Sequence, residues 1–329
     1  MKTFSKPFFI AAALWGTVSG ASYAQQEPQV WPAKAVRLIV PFALGGLTDI
    51  VARILAPALG ETLAQPFVVE NRPGAAGNIG VEQVVRAAPD GYMVLVGNIS
   101  TNAINPTAFA ATLKFDVAKD LAPVTLIASV ANVLVSGAAF PPGSFRELIE
   151  YARARPGQMN YSNPLGSYSH LDTLDLSGRT GVKAVLIPSK GAGSTLTSII
   201  NGEIHFSFLN AASITPHVKG GRMKAFATTA RERLPDLPEV PTMAEVGFPE
   251  VGSVQWNGFF MPARTPRAIV GKLHAATAQV MGRKQVQEAF VNSAVPITLS
   301  KSPEEFQEFV NAEIKRWARI IKDNDIKLE

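Results

Sequence analysis

Short runs of β-branched residues alternate with helical patterns along nearly the whole chain of 329 residues. Strands that alternate with helices pair in parallel, because each helix carries the chain back across the sheet. The order therefore predicts an α/β fold with parallel-rich sheets, and the length indicates about two domains. The predicted strands are Val36–Val40, Phe67–Val69, Met93–Val96, Lys183–Ile187, Ile204–Leu209 and Met223–Thr228.

Two helices have the clearest patterns. Residues Thr48–Leu63 carry apolar side chains at helical spacing, with Thr48 as the predicted N-cap and Pro57 as a predicted kink. Near the carboxyl end, Ser302 is the predicted N-cap of a helix whose apolar stripe runs over Phe306–Ile321. Such a stripe indicates core packing.

The first 24 residues differ from the rest. Lys2 and Lys6 precede an apolar run from Phe8 to Val18, and Ser22-Tyr23-Ala24 follows as a small-x-small site. This pattern predicts a signal peptide over 1–24, cleaved after Ala24, and a periplasmic protein. The alternative is an N-terminal membrane anchor, which is less favoured because the run falls short of roughly 20 residues.

Composition and motifs exclude several function classes. The chain has no Cys, which rules out disulfides, thiolate metal sites and cysteine nucleophiles. Its four His lack His-x-x-x-His spacing, and neither Gly-x-Ser-x-Gly nor a Walker loop occurs. The net charge of +5, or +3 after loss of Lys2 and Lys6, is too small and scattered to indicate nucleic-acid binding. We therefore expect no enzyme, cofactor or metal, although paired carboxylates for acid/base chemistry stay open.

Three Gly/Ser-rich segments each follow a predicted strand and precede a helix. They are residues 41–49, 162–170 and 188–195. The first turn of a helix presents unpaired N–H groups and the positive end of the dipole, and glycine lets a ligand approach that backbone. One such loop is an ordinary turn of any α/β protein, but three together favour a carboxylate site.

Charged residues are scarce in these loops. Lys190 is the one cation among them, and Arg is absent, so the charge of a bound acid would be met mainly by amides and hydroxyls. Asp49 lies in the first turn of the first predicted helix. It either stabilises that turn through the dipole or faces the cleft and orients a water or a ligand donor group.

Several longer motifs resemble a known family. They include Gly45-Gly46 with Asp49, Pro89–Tyr92 and His170-Leu171, and the longest and most specific are Glu70–Gly80 and Arg233–Gly247. They are similar to the Bug family, the periplasmic solute-binding proteins of tripartite tricarboxylate transporters. The resemblance covers essentially the whole chain after residue 24.

The resemblance implies a fold. It is the two-lobed periplasmic-binding-protein fold of type II, or Venus flytrap, with a parallel-rich sheet in each lobe. We assign residues 25–124 and 236–329 to lobe 1 and 125–235 to lobe 2, with crossings near Leu121–Ser129 and Ala225–Thr229. The implied partners are a small organic acid and the membrane permease subunits of the transporter, with the protein itself a monomer.

The resemblance and the three loops together give a set of expected ligand-binding residues. They are Phe42, Gly45, Gly46, Leu47, Asp49, Ser100, Thr101, Leu165, Gly166, Ser167, Tyr168, His170, Lys190 and Ser194. Two other function classes stay open at this point. One is an exported carboxylate sensor for a signalling partner, and the other is an enzyme that acts on a carboxylate.

The loops also depart from the usual family residues, at Ala43-Leu44, Pro164 and Ser189. We hypothesise that Phe42, Tyr168 and Trp256 make the cleft more aromatic, so that an aromatic dicarboxylate such as terephthalate competes with aliphatic di- and tricarboxylates. The alternative for Tyr168 is a packed surface tyrosine.

Overall fold

The computed structural model describes residues 1–2, 31–163, 167–189 and 192–323, without the side chain of Ala192. The predicted signal peptide, apart from Met1 and Lys2, lies outside the described residues. So do three expected site residues, namely Leu165, Gly166 and Lys190.

The described chain from residue 31 alternates strands and helices. The strands are β1 (Val36–Val40), β2 (Phe67–Asn71), β3 (Met93–Asn98), β4 (Leu121–Gly137), β5 (Met159–Tyr161), β6 (Ala184–Leu186), β7 (Ser207–Asn210), β8 (Met223–Thr228) and β9 (Val254–Pro262). The helices are α1 (Leu47–Leu63), α2 (Asn78–Val85), α3 (Asn105–Ala108), α4 (Val117–Asp120), α5 (Phe145–Arg153), α6 (Tyr168–Thr180), α7 (Ala192–Ile200), α8 (Ala211–Lys219), α9 (Arg267–Met281), α10 (Lys284–Asn292) and α11 (Pro303–Asp323).

The sheet of the first lobe has the order β2-β1-β3-β9-β4. Strand β1 is parallel to both β2 and β3, whereas β9 is antiparallel to both β3 and β4. The sheet of the second lobe repeats this pattern. Strands β5 and β6 are parallel, Tyr161 of β5 bridges Phe206 in parallel, and β4 is antiparallel to both β7 and β8. The predicted α/β class with parallel-rich pairing is confirmed.

Strand β4 is long enough to belong to both lobes. Its residues 121–131 pair with β9, and residues 132–137 pair with β7 and β8. Residues 223–228 form β8 inside the second lobe, so the chain returns at β9 rather than near Ala225–Thr229. Leu237, Val240 and Met243 pack with the second lobe. A division at 131/132 and 253/254 fits these contacts, and the bounds expected from the sequence, 124/125 and 235/236, stay a prediction.

The two helices with clear patterns form as expected. Helix α1 covers the predicted span and passes through Pro57. The Ser302 hydroxyl accepts a hydrogen bond from the Glu305 N–H at 3.2 Å, which confirms the predicted cap of α11. The stripe of α11 lies in the core of the first lobe, where Trp317 is completely buried.

Trp256 is part of the core and not of the cleft. It is completely buried on β9, with the rings of Phe306 and Phe309 centred 5.8 and 5.5 Å away in edge-on packing. Its indole N–H donates to the Glu313 carboxylate at 3.2 Å. The expectation that Trp256 lines an aromatic cleft is wrong, because α11 covers this face of β9.

Gly258 tests the packing of α11 on the sheet. An alanine Cβ at this position would lie 2.3 Å from Cζ of Phe306 and 2.8 Å from the carbonyl oxygen of Thr125, which is backbone and cannot turn away. We expect Gly258→Ala to lower the free energy of unfolding by about 1–3 kcal/mol through overpacking. Urea denaturation followed by circular dichroism measures this change.

The matched control is Gly271→Ala in α9, where an added Cβ meets nothing within 4 Å. Alanine in this helix should raise stability by about 0.5–1 kcal/mol, since glycine loses more backbone freedom on folding. Equal effects of the two substitutions would contradict the packing described.

Candidate functional site

A cavity of about 550 Å³ lies between the two lobes. The first lobe contributes Gly45, Leu47 and Ile50 from the start of α1, and also residues 293–295 after α10. The second lobe contributes the starts of α6 and α8, and Val130 and Gln255 lie near the lobe boundaries. The described lining residues are Gly45, Leu47, Ile50, Val130, Asn163, Ser167, Tyr168, Ser169, Thr195, Phe208, Leu209, Asn210, Ala212, Ser213, Gln255, Ser293, Ala294 and Val295.

Within the described chain, four helices begin at this cavity. They are α1, α6, α7 and α8, each represented in the lining by residues of its cap or first turn. Their first N–H groups have no partner inside the helix, and their dipoles place partial positive charge at the same point. The described lining residues include no Lys, Arg, Asp, Glu or His. The site therefore presents positive potential from backbone rather than from side chains.

The loop before α1 is held by a buried carboxylate. Asp49 is 3% exposed, and it accepts hydrogen bonds from the Gly45 N–H at 3.0 Å, the Asn71 amide at 2.9 Å and the Arg53 guanidinium at 3.0 Å. Burial by itself raises its pKa, but these hydrogen bonds outweigh burial and hold the pKa below its usual value. Of the two alternatives for Asp49, the contacts support the stabilising one, because its oxygens already face donors of the loop.

Thr48 anchors α1 and does not cap it. The N-cap of α1 is Gly46, which makes no side-chain cap, so the predicted cap is wrong by two residues. The Thr48 side chain is instead buried, and its Oγ1 accepts hydrogen bonds from the amides of Asn257 at 2.8 Å and Asn98 at 3.3 Å. Because these asparagines lie on β9 and β3, they fix the start of α1 over the sheet.

The start of α6 is capped and also tied to the other lobe. Ser167 is the N-cap, and its hydroxyl accepts from the His170 N–H at 3.3 Å. The Tyr168 hydroxyl donates to Oε1 of Gln255, on β9, at 3.1 Å. Burial raises the pKa of Tyr168, which keeps the phenol protonated. Tyr168 lines the cavity, is half-buried and packs against the first-lobe core, so its contact with a ligand stays a prediction beside the alternative of a packed tyrosine.

A polar cluster in the second lobe was not expected. The Asn163 amide donates to the Ser207 hydroxyl at 2.7 Å, and that hydroxyl donates to the Ser162 carbonyl at 2.7 Å. Asn210 caps α8 by accepting from the Ala212 N–H at 3.0 Å. The sequence signal for Asn210 was available, since a cap-forming residue follows the predicted strand Ile204–Leu209 directly.

The expected site residues divide into groups. Gly45, Leu47, Ser167 and Tyr168 line the cavity, and Gly46 caps the helix beside it. The described residues that are not part of the lining are Phe42, Asp49, Ser100, Thr101, His170 and Ser194. Leu165, Gly166 and Lys190 lie outside the described residues.

Three of the expected residues that do not line the cavity pack against other parts of the protein. His170 is buried and its ring stacks on Tyr161 at 6.0 Å, and burial lowers its pKa. Thr101 is completely buried and donates to the Asn102 side chain at 2.6 Å. The ring of Phe42 packs on the first-lobe core. These positions shape the loops from behind, and their role in binding stays a prediction.

Metal-binding groups and membrane-spanning helices would both bear on function. Among the described residues no group of three or more His, Asp or Glu side chains is placed to hold a metal ion. None of the described helices combines the length and the apolar content needed to cross a membrane.

The family follows from a sequence comparison. The model of the tripartite tricarboxylate transporter family receptor, TctC, matches residues 51–326. The chain belongs to the TctC family. It is 33% identical over 308 residues to the protein BugT of Bordetella pertussis, an alignment that covers 93% of this chain and 94% of BugT.

Solved structures place this TctC-family chain among the periplasmic binding proteins. A TctC solute-binding protein from Polaromonas superposes with a TM-score of 0.80 at 26% identity, over 89% of this chain and 99% of that one. An R. palustris protein with adipate superposes with a TM-score of 0.76 at 34% identity, over 90% of this chain and 99% of that one. MatC of Rhodopseudomonas palustris with bound malate superposes with a TM-score of 0.73 at 31% identity, over 88% of this chain and 100% of MatC. The expected two-lobed type II fold and the family resemblance are confirmed.

The anchoring of α1 can be tested at Thr48. Thr48→Val keeps the shape of the side chain but leaves the buried amides of Asn98 and Asn257 without their acceptor. We expect a loss of about 1–3 kcal/mol in the free energy of unfolding, measured by urea denaturation. Thr48→Ser retains the hydroxyl and is the control. A valine variant as stable as the serine variant would show that this contact does not hold α1.

Proposed function

We propose that this protein is a periplasmic solute-binding protein that captures a small organic carboxylate in the interlobe cavity and delivers it to the membrane subunits of a tripartite transporter. The observation that carries the proposal is the meeting of four helix starts at one cavity whose described lining has no charged side chain. Its family and the acids held by its structural relatives agree with this chemistry.

The available contacts are sufficient for useful affinity. Micromolar binding requires about 8 kcal/mol. A hydrogen bond to a charged group contributes about 1.5–3 kcal/mol, so a few backbone N–H groups and hydroxyls, with partial burial of the ligand body, supply this after ordering costs. Ser167, Ser169, Thr195 and Ser213 bring hydroxyls to the described lining.

Binding from both lobes favours closure. Helix α1 belongs to the first lobe, whereas α6, α7 and α8 belong to the second. A ligand that touches both sets binds the closed form more tightly and shifts the population toward it. The membrane subunits can then recognise the closed form, which links capture to delivery.

We infer that the bound acid leaves unchanged. General acid/base catalysis needs a group that changes its protonation state near the working pH. Tyr168 is the titratable side chain of the described lining, and its raised pKa keeps it protonated. Export to the periplasm rests on the signal pattern of residues 1–24.

For the ligand itself we propose a dicarboxylate, with aromatic acids such as terephthalate among those accepted. Tyr168 is the half-buried aromatic ring of the described lining, whereas Phe208 behind the lining is completely buried in the second-lobe core, so the support for an aromatic body comes from Tyr168 and not from Phe42, Phe208 or Trp256. The cavity volume of about 550 Å³ is ample for a benzene ring with two carboxylates.

Substitutions at Ser167 can test whether the cavity binds a negative charge without changing the stability of the fold. Asp and Asn both cap helices well, so Ser167→Asp and Ser167→Asn should each keep the cap of α6 and similar stability. The aspartate places a negative charge at the cavity, and we expect it to bind adipate at least about tenfold more weakly than the asparagine variant, because like charges repel. Isothermal titration calorimetry measures both affinities. Equal affinities would show that no carboxylate binds beside Ser167.

A ligand panel tests the acid class. We expect heat of binding from at least one of adipate, malate and terephthalate in calorimetric titrations, with citrate and glutamate as comparisons of higher charge and of mixed charge. Tyr168→Leu should weaken terephthalate more than adipate, since it removes the aromatic ring of the described lining that is partly exposed. No heat with any aromatic acid would remove the aromatic part of the proposal, and no heat with any acid would remove the whole.

A further inference from the structure

A buried carboxylate outside the cavity joins α6 to the return crossing of the chain. Asp172 is completely buried on α6. Its Oδ2 accepts hydrogen bonds from the N–H of Ser253 at 2.9 Å and from the Ser253 hydroxyl at 2.6 Å. Its Oδ1 accepts none from the described residues and lies 3.6 Å from Nη2 of Arg316. This acid is absent from the cavity lining.

The contact is one of a pair with matching spacing. Tyr168 and Asp172 are four residues apart and share one face of α6. Their partners Gln255 and Ser253 are two residues apart at the start of β9, which places them on the same side of an extended chain. The two contacts therefore fix the rotation and the height of α6 against the crossing segment.

The first lobe contacts the same segment through α11. Arg316 of α11 donates to the carbonyl oxygen of Gly252 at 2.7 Å, and Glu313 lies 3.7 Å from its guanidinium. Leu171, also completely buried, packs in the cluster that contains Trp317 of α11. Residues 252–253 thus contact both Arg316 of the first lobe and Asp172 of the second, and these two side chains also face each other.

Burial of a charged carboxylate destabilises the folded chain, and the neighbours of Asp172 compensate for this only in part. Burial raises the pKa of Asp172 to about 6, although Arg316 and the Ser253 hydrogen bonds lower it and Asp175 raises it further. Replacing such a group by an apolar one is often neutral or stabilising, so stability alone does not account for a carboxylate at this point. Its place at the lobe boundary suggests another role.

We propose that Asp172 is a positioning residue that couples the crossing segment 252–253 to α6 and thereby sets the balance between open and closed lobes. The ligand-affinity part of this inference rests on the proposed function, because it requires that the interlobe cavity binds the ligand. Loss of the negative charge that faces Arg316 loosens α6 from α11 and from the crossing segment, favours the open form and weakens binding without touching the cavity lining.

The primary test needs no ligand. The chain has no Cys, so Val68→Cys on β2 and Val185→Cys on β6 give two unique spin-label sites, both exposed at the sheet edges of opposite lobes. Pulsed electron paramagnetic resonance measures the distance between the labels. We expect Asp172→Asn to broaden the distribution and shift it to longer distances in the unliganded protein. A distribution equal to that of the parent would overturn the proposal.

Asp175→Asn is the matched control. Asp175 is a buried acid on the same helix, but its partner is Arg179, also on α6, at 3.0 Å. We expect this variant to leave the distance distribution unchanged. A shift as large as that of Asp172→Asn would assign the effect to loss of any buried charge. If Asp172→Asn fails to fold, Ser253→Ala removes the 2.6 Å hydroxyl contact and should shift the distribution in the same direction.

The pH dependence supplies a second readout. The charged and titratable groups that act on Asp172 are Arg316 of α11, itself beside Glu313, and Asp175 and Tyr168 of α6. The ordinary pKa of the group is 3.8, so between about pH 4 and 6 the folded chain holds a proton that the unfolded chain has released. Stability from this group therefore falls as pH rises through that window.

Protonation also removes the charge that faces Arg316. We expect the unliganded parent near pH 5 to show the longer, broader distances of Asp172→Asn, while Asp172→Asn itself stays constant from about pH 5 to 7.5. A parent distribution that does not change with pH, or a variant that changes as much as the parent, would contradict the coupling.

Affinity then links the inference to binding. With adipate as the probe, we expect Asp172→Asn to raise Kd about fivefold or more and Asp175→Asn to leave it nearly unchanged. Equal values for parent and Asp172→Asn would overturn the affinity part. If the parent protein binds no acid of the panel, the proposed function fails, while the distances in the unliganded protein still decide whether Asp172 sets the lobe balance.

Discussion

Unpaired N–H groups at helix starts are the constraint on which the rest of this structure depends. A helix that begins at the rim of a cavity can offer its unpaired N–H groups to a ligand only if its first turn is held in place, because a mobile donor makes weak hydrogen bonds. In α1 the fixing is done from behind by Thr48, which receives the amides of Asn98 and Asn257, and from the loop by Asp49. In α6 and α8 it is done by the caps Ser167 and Asn210. These polar side chains thus hold the backbone of the helix starts in position.

The same economy explains why the described lining has no charged side chain. A buried carboxylate ligand beside a fixed cation would be held strongly but would need that cation desolvated in the empty protein. Helix starts carry their partial charge without a full ion to desolvate. The buried carboxylates lie outside the described lining, with Asp49 facing donors of the loop before α1 and Asp172 at the lobe boundary beside Arg316 and Ser253.

Much of the local structure was predictable, and the errors have physical causes. Five of the predicted strands lie on observed ones with small differences at the ends, and Ile204–Leu209 overlaps β7, because each is a short apolar run with turns on both sides. Strand β4 was missed as a strand because 15 of its 17 residues are buried, so its sequence shows no alternation of apolar and polar residues. Trp256 was misplaced for a related reason. An aromatic residue on a strand carries no sign of whether a helix or a ligand will cover it, and here Phe306 and Phe309 do.

The sequence by itself determined the alternation of strands and helices, the loops rich in Gly and Ser at the helix starts, and the family motifs, because these depend on residues close together in the chain. Only the tertiary structure decided which of those residues meet. It brought Gly45, Ser167 and Asn210 to one cavity and turned Asp49, Thr101 and His170 inward. The reason is that β4 is shared between two sheets of the same design. The pairing of residues more than 100 positions apart fixes which helix starts face each other, and no local pattern encodes that pairing.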